Sequence, residues 1–224
     1  MLKCVDKEIK KRKLKVVNKE FGLTKHGARM FGVLTLEAAT KKSNFALALG
    51  IRSSIDRSLS QAVCVGGRVF VCDNLAFSAE IVVRAKNTMN IMDRLPGAIA
   101  KAFDQTGPYV KQQEAFYKKL RSTEVDDSQM NDLVIAAAYE DIIPSSQILP
   151  VCSLWDDPLQ VCETKQERAA FKATFGKHTG WRAFNAFTYQ MKQGYSVNMV
   201  THEAKTRTLV RLFKENLLGE SAEA

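Results

Sequence analysis

The sequence predicts an α+β fold: an antiparallel β-meander followed by helices, with a C-terminal helical subdomain. Three observations predict it. Residues 31–86 carry β-rich runs, the clearest being Phe45, Leu47, Leu49 and Ile51 alternating with Ala46, Ala48 and Gly50. From Asn87 onward the apolar spacing is helical. Strands segregated from helices in chain order are the mark of this class.

The chain has 224 residues, 46% hydrophobic and 25% charged, the composition of an ordinary globular protein. No apolar run approaches the roughly 20 residues that cross a bilayer, and the charged N-terminus lacks a signal-peptide core. A cytoplasmic protein without a membrane partner is expected. Residues 1–30 hold ten Lys/Arg against three Asp/Glu and are expected to form a basic N-terminal arm, either disordered or a short helix. Residues 31–224 are expected to form one domain.

Each element has its own signal. FGVLTLE (31–37) reads as a strand. In the run 45–51 one face is large and the other small, and the small face invites a helix. QAVCVGGRVFVC places β-rich runs on both sides of Gly66-Gly67, which predicts a two-residue hairpin pairing Val65 with Arg68 and Cys64 with Val69. Phe77 to Lys86 reads as a further strand. Asn87 or Thr88 opens a helix with Ile91, Leu95, Ile99 and Phe103 on one stripe. Gly107-Pro108 ends it, and a second helix runs from about Tyr109 to Leu120. Ser128 is placed to cap a third, MNDLVIAAAYEDI. The prolines at 144, 150 and 158 predict a loop over SSQILPVCSLWDDP. Thr164 with Glu167 spells a capping box. GWRAFNAFTYQMKQ, with Trp181, Phe184 and Phe187 on a core stripe, and a segment near 200–217 complete the helices.

Charge is uneven. The formal net charge is +9, yet residues 121–170 contain three Lys/Arg and ten Asp/Glu. A basic surplus beside an acidic block suits a polyanion partner. The candidate phosphate contacts are Lys10, Lys11, Arg12, Lys13 and Lys15 in the arm, and Arg52, Arg57, Arg68, Arg84 and Lys86 around the meander. Phe70, Phe77 and Tyr109 are candidates for base stacking, with core as the competing role for the two phenylalanines.

Catalytic signatures are missing. Gly176-Lys177 is followed by His178-Thr179, so no phosphate-binding G-K-[ST] exists, and G-x-G-x-x-G, H-E-x-x-H and G-x-S-x-G do not occur. The five cysteines and three histidines lack zinc spacing. No cofactor and no metal are expected. Cys72-Asp73-Asn74 is the one cluster with a catalytic look. On a strand Cys72 and Asp73 point to opposite faces, and Asp-Asn is ordinary turn chemistry. The expectation is a protein that is not an enzyme.

Three stretches, ALALGIRSSIDRS, GGRVFVCDNLAFSAE and GWRAFNAFTYQMKQG, resemble the phage- and plasmid-associated family known as domain of unknown function 932. The resemblance implies a mobile-element or prophage protein. At the level of element order, strands and then a helix, the chain is also similar to single-strand annealing proteins of the Rad52 type, which implies a single-stranded DNA partner and self-assembly. The function expected is therefore nucleic-acid binding by a phage, prophage or plasmid protein, with binding or annealing of single-stranded DNA and a homo-oligomer as its sharpest form. The alternatives are a counter-defence protein that docks on a host protein through the acidic 121–170 segment, or an enzyme using Cys72 or Asp73.

Overall fold

The computed structural model describes residues 1–24, 26–37, 45–69, 74–76, 82–85, 91–104, 106–192 and 199–220. It is an antiparallel sheet followed by helices, as the composition of the elements predicts. The chain divides into two compact units, one of Met1–Arg68 with Phe77–Lys111, the other of Val69–Ala76 with Gln112–Ala224.

The first unit begins with helix α1 (Leu2–Lys11) and continues into strand β1 (Val16–Leu23). Residues 1–24 and 26–30 thus belong to this unit as helix, strand and turn. Strands β2 (Arg29–Leu36), β3 (Phe45–Ser54) and β4 (Gln61–Val69) follow β1 in spatial order. β6 (Val82–Ala85) pairs antiparallel with the start of β4, Gln61 opposite Ala85 and Cys64 opposite Val82. A bulge at Val17 shifts the β1–β2 register, which then sets Phe21 opposite Gly32 and Leu23 opposite Met30.

One sheet face carries Leu34, Leu36, Leu49, Ile51 and Val63. Helix α1, through Val5 and Ile9, and helix α2 (Ile91–Asp104), through Leu95, Ile99 and Phe103, close over it. These helices therefore lie on the large-residue face of β3, not on the small one as expected. Burying large side chains stabilises more than close approach over alanine does. Ala46, Ala48 and Gly50 on the small face are buried as well.

The expected Gly66-Gly67 hairpin does not form, because β4 runs straight through both glycines. Glycine adopts extended backbone as readily as turn backbone, so the pair alone does not fix a reversal. Of the expected strand 77–86, Val82–Ala85 is present as β6; its other residues lie outside those described, as do Cys72 and Asp73.

Helix α3 (Thr106–Ser122) takes Gly107 and Pro108 into its first turn, where a missing N–H costs nothing. It belongs to the first unit through Lys111 and to the second from Gln112. In the second unit, strand β5 (Asn74–Ala76) lies against helix α7 (Gly180–Lys192). Helix α4 (Asp127–Tyr139) is capped by Asp126, not Ser128, in a full capping box with Gln129. The segment expected to be a loop forms helix α5 (Ile148–Asp156), flanked by short 3-10 turns, with Pro150 tolerated in its first turn. Helix α6 (Lys165–Phe175) starts at the Thr164–Glu167 capping box read from the sequence, and helix α8 (Met199–Asn216) ends the unit.

α7 is the axis of this second core. Trp181, Phe184, Phe187 and Thr188 are buried as their helical spacing predicts, and so are Asn185, one turn on from Trp181, and Arg182. Tyr117 packs 4.9 Å from the Trp181 ring, and Phe213 meets Phe184 and Phe187 edge-on at 5.3 and 5.7 Å. Asn185 donates to the Trp181 carbonyl at 2.8 Å.

Candidate nucleic-acid interface

The amphipathic pattern of α1 decides where its charges go. Val5, Glu8 and Ile9 are buried, so Lys3, Lys7, Lys10 and Lys11 emerge on the outer face. None of these four lysines has a hydrogen-bond or ion-pair partner among the described residues. At 1.5 Å rise per residue, Lys3, Lys7 and Lys10/Lys11 stand about 5–6 Å apart along the axis. Lys10 and Lys11 also lie in the last turn, where the helix dipole favours cations. Lys3 and Lys7 have no such role; they lie outside the run KKRKLK and join its lysines only through the helical period.

Arg12 behaves differently. Its guanidinium pairs with Glu8 and Asp104, donates to the Ala100 carbonyl at 3.1 Å and lies over the Phe103 ring at 5.4 Å. It fastens α1 to α2, and three of its five N–H donors are engaged. Lys13 is exposed in a left-handed conformation (φ 54°) between α1 and β1. Lys15 is exposed beside Glu37 at 3.0 Å.

Of the meander residues, Arg52 is buried. It donates from Nε to the Ser60 carbonyl at 3.2 Å and from a terminal nitrogen to Ser60 Oγ at 2.8 Å, closing the β3–β4 connection. That geometry holds a loop and presents no guanidinium to solvent. Arg57 stands in the same connection, exposed, at φ 58°, without a partner among the described residues. A non-glycine residue held in this region is strained. Around it, Asp56 accepts from the Ser58 hydroxyl and amide at 2.6 and 3.0 Å, which lowers its carboxyl pKa below the ordinary value. Arg29 joins this tip, donating to Ser58 Oγ at 2.8 Å and lying 3.5 Å from Asp56.

The candidate cations therefore separate. Lys13, Lys15 and, by its place near the end of β4, Arg68 stand at one end of the strands. Arg57 and, by its register opposite Ala62, Arg84 stand at the other. The strands are eight to ten residues long, so the two groups are about 25 Å apart along the strand direction. Lys86, Phe70 and Phe77 lie outside the described residues. Tyr109 is buried in the first core, which removes it as a stacking candidate.

Cys64 and Cys162 are buried, and Cys4, Cys64, Cys152 and Cys162 are thiols outside any disulfide. Burial raises the Cys162 and Cys152 pKa values, with nearby carboxylates adding to it. Among the described residues no cluster of His, Cys, Asp and Glu is placed to hold a metal ion, and no helix is long and apolar enough to cross a membrane. No family model, curated protein or solved structure matches the chain.

Proposed function

We propose that the protein binds nucleic acid, with single-stranded DNA as the leading target and a phage, prophage or plasmid as its setting. The setting rests on the family resemblance alone. The binding reading is carried by one observation: Lys3, Lys7, Lys10 and Lys11 share the open face of α1 without carboxylate partners. A stripe of free ammonium groups at this spacing neutralises successive phosphates and releases their counterions. Lys13 and Arg57 add charge at the two ends of the sheet.

The test is oligonucleotide binding across a salt series, with particle mass measured alongside to read self-assembly. Binding should weaken steeply with salt. Replacing the four α1 lysines with alanine should flatten the log–log slope on single strands by about 2.8, four contacts at about 0.7 each. Salt-independent binding, or none at low salt, removes the reading.

A second reading, docking on a host protein, is favoured by helix α4. Ile135 and Tyr139, four residues apart, are 55% and 89% exposed in the acidic segment. Capture of a single host protein from nuclease-treated lysate, lost in Tyr139→Ala and without nucleic-acid affinity, would select it.

A further inference from the structure

Strand alternation puts Lys19, Phe21 and Leu23 on one face of β1. Their partners on β2 are Leu34, Gly32 and Met30. Leu34 belongs to the core beneath α1 and α2, so these three side chains extend the helix-bearing face to the sheet edge, beyond the cover of the helices. A β-carbon built at Gly32 would overlap the Phe21 ring. The ring therefore lies across β2 where that strand has no side chain, and Phe21 remains 50% exposed. Leu23 beside it is 69% exposed. Glu20 points to the opposite face, where Asn18 donates to it at 2.6 Å. Lys19 is exposed and has no side-chain partner among the described residues.

Covering a glycine requires only an apolar side chain. A flat ring, half open, bordered by a free lysine on its own face and with the neighbouring carboxylate turned away, has the features of a stacking platform for a nucleobase. We propose that Phe21 stacks on an unpaired base of the bound strand while Lys19 neutralises the adjoining phosphate. This rests on the nucleic-acid reading above and sharpens it: bases inside a duplex have no free face, so this site takes single strands.

The experiment compares the wild-type chain with Phe21→Leu and Phe21→Trp. The probes are a fluorescent oligothymidylate, an abasic strand of equal length and a duplex. Leucine keeps the apolar cover over Gly32 but has no π face, and thermal melting checks that each variant is folded. Phe21→Leu should lose about tenfold in affinity for oligothymidylate, lose nothing on the abasic strand or the duplex, and keep its salt slope. Tryptophan emission of Phe21→Trp should be quenched as oligothymidylate saturates. Unchanged affinity in Phe21→Leu, equal loss on the abasic strand, or no quenching at saturation would overturn the stacking role and leave the phosphate-binding reading standing on the wild-type salt dependence. A wild-type chain that binds no oligonucleotide at low salt overturns both.

Discussion

The two units arrange their charge differently. In the helical unit several cations are tied down. Arg211 pairs with Glu140 and Glu215, Lys119 with Glu220, and Lys205 lies 3.8 Å from Asp141. Arg182 is buried, donating to the carbonyls of Phe175, Trp155 and Asp156, and so caps the C-terminal ends of two helices. Desolvation lowers its pKa, partly offset by the carboxylates of Asp157, Asp156 and Asp127. In the sheet unit the arginines Arg12 and Arg52 are tied down in the same manner, while the α1 lysines stand free. Arginine, with a planar fork of donors, is suited to fixed carbonyls and carboxylates, whereas lysine on a flexible stem is suited to a mobile polyanion. The contrast is therefore between arginines that hold the fold in both units and the lysines of the open α1 face, which hold nothing in it.

The largest test of this contrast is Trp181→Ala. Trp181 is fully buried at the centre of the aromatic cluster, and its loss should cost about 3–5 kcal/mol by denaturant unfolding. Arg182→Met should cost about 3 kcal/mol, because the carbonyls it serves stay buried without a donor. By contrast Lys7→Ala in the sheet unit should change stability by less than about 0.5 kcal/mol. A large loss there would make α1 lysines structural and dissolve the contrast. Thr164→Ala should cost about 1 kcal/mol through loss of the α6 cap.

The cap also has a pH signature. The Glu167 carboxylate accepts from the Thr164 and Glu163 amides at 3.1 and 2.9 Å, which lowers its pKa below the unfolded value. Its contribution is therefore fully present above the unfolded carboxyl range and is lost as pH falls through the lower folded value. Glu167→Gln should remove that acid-side loss from the stability profile, read as the melting temperature against pH.

Much of the helical half was legible because its signals are local. The stripe of α2, the capping box of α6 and the aromatic period of α7 each sit within one or two turns. β1 was not legible: VVNKEFGL mixes charge with apolar residues and is exposed along nearly all its length. An edge strand carrying Lys19 and Glu20 is protected against pairing with other edges and so lacks the alternation that announces a half-buried strand. Gly66-Gly67 misled for the opposite reason, since a strong local turn signal was overruled by pairing along β4. The run from Lys10 to Lys15 read as one basic block, whereas the helical period turns Arg12 inward and the lysines outward. The Phe21–Gly32 pairing depends on register after a bulge, which no local pattern encodes.

α1 has two faces with separate duties. Val5 and Ile9 seal the first core and Arg12 locks the helix to α2, while the lysines look outward. The seated inner face fixes the spacing of the lysines on the outer one, so a ligand matched to that spacing binds the folded unit more tightly than the unfolded chain. By mass action such a ligand raises the melting temperature of the sheet unit, by an amount that grows with the logarithm of its concentration. Occupancy of the helix can thus be read as heat resistance, without any label on the ligand.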